Sequence, residues 1–214
     1  MKHFVITIAR GLGSGGSHIG HALAEELGIK YFDEEILQMA ADYSGINESY
    51  FWEANERIKK GQAAINNSSG VYNKNIVYRE GDKEYLSNEN IFNMQAQVIK
   101  NIVFEDKISC VIIGKAANYM LSSLKNVVKI NIQAPLDKCV KNLNRRLGIG
   151  YEEAVSLIAK TDKYRSDYYK YYTGENWISP KEYDLCINTG VIGEKYATQI
   201  IIDLLKQKGL IDPK

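Results

Sequence analysis

The residues that could do chemistry gather first in one short run. In "IARGLGSGGSHIG", Ile8 to Gly20, four glycines (Gly11, Gly13, Gly15 and Gly16) fall within six residues. Backbone N–H groups in so tight a loop can converge on one anion. A helix that begins there adds its dipole and its unpaired donors. Gly11 and Gly16 take the two glycine positions of the phosphate-loop pattern G-x-x-x-x-G-K-[ST]. Ser17, however, stands where lysine belongs, and His18 where serine or threonine belongs. Gly11, Gly13 and Gly16 also satisfy the looser dinucleotide pattern G-x-G-x-x-G, with Asp33 near the place of its ribose-binding acid. The bland alternative is a tight turn that holds no ligand.

A second charged group lies far downstream. Lys160, Lys163 and Arg165 fall within about two turns of a predicted helix, with Asp162 three residues before Arg165. Residues three apart are neighbours on a helix surface, so the spacing predicts that Lys160 and Lys163 point together and that Asp162 pairs with Arg165. Such a cluster suits phosphoryl transfer, which needs positive charge around the moving group more than it needs a covalent catalyst. A solvated helix face is the competing reading. Tyr168, Tyr169, Tyr171 and Tyr172 follow; they could stack on a base, or pack where this helix meets the core. Asp33 either caps the next helix or approaches an acceptor or metal. His18 and His21 are three apart, but no third metal ligand accompanies them, so no metal site is expected. No G-x-S-x-G elbow or Cys–His nucleophile pattern is present.

These residues need elements to position them. "HFVITIA" (His3–Ala9) is an apolar, β-branched run of strand length, ended by the glycines. "SHIGHALAEELG" then carries Ile19, Leu23 and Leu27 at helical spacing and stops at Gly28. The alternation continues. Ile29–Asp33 reads as a strand and "EEILQMAADYSG" as a helix; residues 47–66 read as another helix bearing Phe51, Trp52 and Ile58. A polar stretch, "NNSSGVYNKNIVYREGDKEYLSNEN", reads as a loop, and a helix resumes over Ile91–Phe104. Further strands are predicted at Ser109–Gly114, Asn126–Ala134 and in "YDLCINTG", with helices between and after them. Pro135 suits the first turn of the helix it opens. Strand and helix alternating in this way predict an α/β domain, its parallel sheet covered on both faces, with ligands bound at the carboxyl ends of the strands.

Composition narrows the classes. The chain has 214 residues, enough for a single domain with a real core, and its net charge of +1 offers no global field for nucleic acid or anionic lipid. No apolar run approaches a membrane span, and "MKHFVITIARGLG" is too soon broken by glycine to act as a secretory signal. Cys110, Cys139 and Cys186 are odd in number and widely spaced, which fits free thiols in a reducing cytoplasm; Cys110 and Cys186 lie in strand-like runs where a thiol is usually buried.

The run "GSGGSHIGHALAEELGIKYFDEEIL" resembles the amino-terminal signature of the cytidylate kinase-like family of P-loop proteins, and "KTDKYRSDYYKYYTGENW … YDLCINTG" resembles its carboxyl-terminal part. "VIIGKAANYML" and "VVKINIQAPLDKCVKNLNRR" fall between them in the same order. The resemblance implies a three-layer α/β/α P-loop fold in one domain. Its core would be residues of about 1–43 and 91–214, with an inserted helical acceptor-binding region of about 44–90 and a helical lid of about 148–178. It further implies ATP and Mg2+ as cofactors, with the phosphates on Gly11, Gly13, Ser14, Gly15, Gly16, Ser17 and His18. The expected reaction is phosphorylation of a nucleoside monophosphate such as CMP. In the family the residue after the last loop glycine is usually arginine; here it is Ser17. The Asp-Gly-Arg-Asp run of cytidylate kinases corresponds to Ile113-Gly114-Lys115-Ala116, which keeps a basic residue and loses both acids. The resemblance thus makes Lys115, Lys163, Arg165 and Asp162 the catalytic candidates. Asp33, Lys115, Arg145 and Arg146 become the acceptor-binding ones. The departures at Ser17 and around Lys115 keep a second expectation open: a nucleotide- or phosphometabolite-binding regulator with little turnover, or a kinase for another small acceptor.

Overall fold

The computed structural model describes residues 3–51, 53 and 77–212. Five strands form one parallel sheet: β1 (Val5–Arg10), β2 (Lys30–Phe32), β3 (Cys110–Ile113), β4 (Val127–Gln133) and β5 (Leu185–Asn188), in the order β2-β3-β1-β4-β5. The pairings β2–β3, β3–β1, β1–β4 and β4–β5 are all parallel. The predicted parallel α/β sheet is therefore what forms, for the reason the sequence gives. Successive residues of the apolar runs point to opposite faces, and both faces are covered.

On one face Ile6, Ile8, Val111, Ile113, Val128 and Ile130 pack against α1 (Gly16–Leu27) and the closing helix α7 (Thr189–Gln207). On the other face Val5, Cys110, Ile112 and Val127 meet α2 (Glu35–Ser44), α3 (Asn88–Phe104) and the short α4 (Ala117–Met120). The result is a three-layer α/β/α domain. Helices α5 (Leu136–Leu147) and α6 (Tyr151–Thr173) form an antiparallel pair with a small core of its own around Cys139, Leu143, Ala154 and Ile158. The far end of α6 joins the main core. The Tyr172 ring stacks on Phe92 at 3.9 Å between centroids and 8° between planes, and Tyr168 meets Tyr172 edge-on. Tyr171 and Tyr172 thus pack against the core, while Tyr168 and Tyr169, also buried, present ring surface to a cavity as well.

Several expectations need correction. Helix α3 begins at Asn88, not Ile91, because Ser87 caps it: its side chain accepts from the Asn90 N–H at 3.1 Å. Asn90 is fully buried and donates to the Tyr78 and Tyr85 carbonyls while accepting from the Tyr78 N–H, so one residue organises the polar stretch ahead of the helix. Pro135 stands just before the first residue of α5 rather than inside its first turn. Cys110 is buried but Cys186 is exposed, since β5 is an edge strand whose Ile187, not Cys186, faces the core. Of the predicted helix over 47–66, residues 48–51 are helical and Phe51 is buried; Trp52 and Ile58 lie outside the described residues. No helix among the described residues is long and apolar enough to cross a membrane.

Candidate functional site

Strand order decides which residues meet. β3 lies between β2 and β1, so the segments leaving β2, β3 and β1 bring Asp33, Gly114–Lys115 and Arg10 side by side at one end of the sheet. The connections from β1 and from β4 also part there, which is where an open parallel sheet offers a ligand crevice.

The glycine loop is fixed by its carbonyls. Gly11 donates its N–H to the Ile132 carbonyl at 3.0 Å, and the buried Ser14 hydroxyl donates to the Gly11 carbonyl at 2.8 Å. The Asn142 side chain on α5 donates to the Gly13 carbonyl at 2.8 Å, and the Thr189 hydroxyl donates to the Ser14 carbonyl at 2.6 Å. The N–H groups of Gly11, Leu12 and Ser14 are bonded within the protein, to the Ile132 carbonyl, Asp162 and the Gly11 carbonyl, so the donors that can turn to a ligand are those from Gly15 onward, at the start of α1. Gly13 and Gly15 have φ of 80° and 87°, values that side-chain-bearing residues rarely adopt. Gly15 caps α1, and the first intrahelical bond runs from the Ile19 N–H to the Gly15 carbonyl, so the donors of Gly16, Ser17 and His18 precede it. A cavity of about 370 Å³ opens over this turn, lined by Gly13, Gly15, Gly16, Ser17, Arg145 and Arg146 among others. His18 is exposed at its edge, 3.5 Å from a Glu194 carboxylate oxygen, and His21 stacks on Tyr31 instead of turning toward His18.

A larger cavity of about 520 Å³ adjoins it. Its charged lining is Arg10, Lys115, Lys160 and Arg165 against Asp33 and Glu34, and Tyr164, Tyr168, Tyr169 and Trp177 contribute ring surface. Four cations against two carboxylates leave an excess suited to an anion. Asp33 does not cap α2: that helix starts at Glu35 with no side-chain cap, and Asp33 instead takes Arg10 Nη2 on both oxygens at 3.3 Å. Lys115 sits in a run of three left-handed residues, Gly114, Lys115 and Ala116, with φ of 66°, 54° and 53°. For lysine and alanine that conformation costs about 1–2 kcal/mol each, strain of a kind that gathers at functional sites. Burial, with Arg10 and Arg165 adding to it and Asp33 opposing, pushes the Lys115 ammonium down to about 8.

Helix α6 lines the larger cavity with Leu157, Lys160, Thr161, Tyr164 and Arg165, and reaches the loop cavity through Arg165. Asp162 accepts from the Leu12 N–H at 2.9 Å and from Arg165 Nη1 at 3.2 Å, and the same Arg165 nitrogen donates to the Arg10 carbonyl at 3.0 Å. Burial raises the Asp162 carboxyl above its ordinary value, although Leu12 and Arg165 pull the other way. Burial also brings Arg165 down to about 10, with Arg10 second in effect and Asp162 opposing. The predicted Asp162–Arg165 pair is thus present, whereas the predicted joint orientation of Lys160 and Lys163 is not. Lys160 lines the larger cavity, while Lys163 is exposed and bonded to Asp167. Arg145 and Arg146 line the loop cavity and not the one beside Asp33 and Lys115. Arg10 stands at the meeting of the two cavities, a position that no sequence motif marks. Its one signal in the sequence is that of a lone cation ending an apolar strand, immediately before the first loop glycine.

A family model described as the cytidylate kinase-like family matches residues 5–191. No curated protein matches the chain. Among solved structures, it is similar to an uncharacterized protein from Eubacterium ventriosum, at 24% identity and a TM-score of 0.70 over 95% of this chain and 99% of that one. At that identity the likeness is one of fold. It is more distantly similar to TT1252 from Thermus thermophilus, at 14% identity, a TM-score of 0.49 and coverage of 96% and 99%. Shikimate kinase from Acinetobacter baumannii, in complex with shikimate, gives 14% identity, a TM-score of 0.47 and coverage of 98% and 96%.

Proposed function

Because this chain belongs to the cytidylate kinase-like family, we propose that it transfers a phosphoryl group from ATP on the glycine loop to a small anionic acceptor in the adjoining cavity. A nucleoside monophosphate, CMP first, is the acceptor the family points to. The observation that carries the reading is the pair of cavities that meet at Arg10 and Arg165, one built of loop N–H groups and the other of cations and rings. Donor and acceptor oxygens brought together at that junction would react as neighbours, which removes much of the entropic barrier to transfer.

The residues divide by place. Gly15 to Ser17 would hold the donor phosphates through backbone N–H groups and the start of α1, with Arg145 and Arg146 adding charge at the rim. Lys115, Lys160 and Arg165 would hold the acceptor anion. Asp162 positions Arg165 and ties α6 to the loop. Mg2+ takes much of its shell from phosphate oxygens and water, and Asp33 and Glu34 are the cavity carboxylates that could share it. When bound, the ion would neutralise charge on the phosphates. Residues of about 148–178 serve as the lid in this reading, and those of about 44–90 as the acceptor-binding insertion.

The test is a screen of ATP-Mg against the common nucleoside monophosphates, following ADP formation, with Gly16→Asp as a blocked-loop control. Turnover above that control supports the reading. No turnover with any acceptor, while ATP still raises the melting temperature, replaces it with that of a nucleotide-binding regulator. Neither turnover nor stabilisation removes the loop as a phosphate site.

A further inference from the structure

We infer that Arg10 supplies the cation at the transferring phosphoryl group that the loop itself lacks at Ser17; the inference rests on the phosphotransferase reading above. Its basis is where the side chain runs. A Cβ added to Gly16 would lie 2.5 Å from the Arg10 Cβ, so the stem passes directly against the last loop glycine, the neighbour of Ser17. A Cβ added to Gly114 would lie 2.6 Å from Arg10 Nη1, so the guanidinium ends over the turn that presents Lys115. Arg10 therefore reaches from the phosphate loop to the acceptor cavity and lines both.

Its hydrogen bonding leaves it free to take a ligand. The carboxylate of Asp33 meets it through Nη2 alone, at 3.3 Å to each oxygen, longer than a charge-assisted pair normally runs and without the two-nitrogen fork. Arg10 Nε is buried and has no hydrogen-bond partner among the described residues. The donor that a phosphoryl oxygen in the junction would meet is Nη1, which ends over Gly114 and takes no hydrogen bond among the described residues. Other cations are placed less well. Arg165 spends its Nη1 on Asp162 and on the Arg10 carbonyl. Lys115 lines the acceptor cavity only, and Arg145 and Arg146 the loop cavity only.

In the step itself, the bond between the γ-phosphorus and the β–γ bridging oxygen breaks, and that oxygen leaves on ADP with the electron pair. A lone pair of an acceptor phosphate oxygen forms the new P–O bond. That oxygen carries no proton, so none need move. Charge gathers on the bridging and equatorial oxygens, and a guanidinium fixed between the two cavities stabilises it without rearranging.

The experiment compares wild type with Arg10→Met, Arg10→Gln and Arg10→Lys, using ATP-Mg and the nucleoside monophosphates, with and without added guanidinium chloride. The neutral variants are expected to lose kcat by roughly 10²–10³-fold, the loss seen when one aimed donor is removed, while the KM for ATP moves by no more than about threefold. Arg10→Lys keeps the charge and should retain more of kcat than Arg10→Gln. Guanidinium ion should restore part of the loss in Arg10→Met and none in wild type. A folded Arg10→Gln or Arg10→Met with kcat within about threefold of wild type overturns the inference and leaves the kinase reading standing. So does an Arg10→Lys as impaired as Arg10→Gln, because charge would then not be what matters. If wild type itself gives no turnover while ADP-Mg raises its melting temperature, the phosphotransferase reading fails and the role of Arg10 fails with it.

Discussion

Replacing Gly13 with alanine tests the loop geometry most directly. Gly13 sits at φ +80°, and a Cβ there would lie 2.7 Å from the Cys139 carbonyl oxygen and 2.9 Å from its Cα. Both are backbone atoms of α5, so no side-chain rotation relieves the contact. The left-handed conformation costs alanine about 1–2 kcal/mol, and forcing an extra methyl into a packed site costs about 1–3 kcal/mol more. Gly28 is the internal control: its φ is +63°, but nothing lies within 4 Å of an added Cβ. Gly28→Ala should therefore cost only the conformational part, about 1–2 kcal/mol. Each kcal/mol moves the melting temperature of a chain this size by about 2–4 °C. Thermal unfolding should thus fall by roughly 4–20 °C for Gly13→Ala and roughly 2–8 °C for Gly28→Ala. The two should also differ toward ligand. Added ATP-Mg should raise the melting temperature of Gly28→Ala as it does wild type, and that of Gly13→Ala by much less. Equal melting temperatures, with the ATP effect intact in both, would refute both the packing argument and the claim that this loop conformation holds the phosphates.

Three other outcomes follow from the site. Lys115 should set an alkaline limb: its charge is lost as pH rises through about 8, so the KM for an anionic acceptor should climb above that pH, and Lys115→Arg should move the limb upward. The same group affects folding with a definite sign. The unfolded chain keeps that lysine protonated up to about 10.4, so it binds more protons than the native chain between about 8 and 10, and stability gains with pH there; denaturation midpoints of Lys115→Met across that window should lack the gain. Asp162→Ala strands the Leu12 N–H and the Arg165 guanidinium, and should lower stability by about 1–3 kcal/mol in urea titration. Asp162→Asn keeps an acceptor for Leu12 and should fall between; an alanine variant as stable as wild type would mean the bridge contributes nothing.

The sheet was legible because its strands announce themselves. Val5, Ile6 and Ile8 belong to a short apolar run, and a run buried on both faces needs no partner to be recognised. The loop was legible for a similar reason, since glycine density reports backbone need directly. Lys160 and Lys163 were harder. Three residues apart leaves about 60° between two side chains, enough at a cavity rim to send one inward and the other to Asp167. Asn90 reads in sequence as one more polar residue ahead of a helix; that it satisfies three backbone groups of the preceding segment depends on a path no spacing encodes. Arg10 is the extreme case. Its meaning comes from strand order, because only a sheet that inserts β3 between β1 and β2 lays Gly114 under its guanidinium.

The glycine turn has a mechanical consequence. Arg10 and Leu12 are gripped by Arg165 and Asp162 on α6, and Gly13 by Asn142 on α5. The two helices are consecutive and share a small apolar core. The distal end of α6 is anchored by the Tyr172–Phe92 stack. Turn and hairpin are thus tied together at one end, and the hairpin's far end lies near Leu147–Tyr151. Any anion that reshaped the turn would therefore act on both helices at once, and the hairpin end where Leu147 and Tyr151 stand in solvent is the part least held by the core.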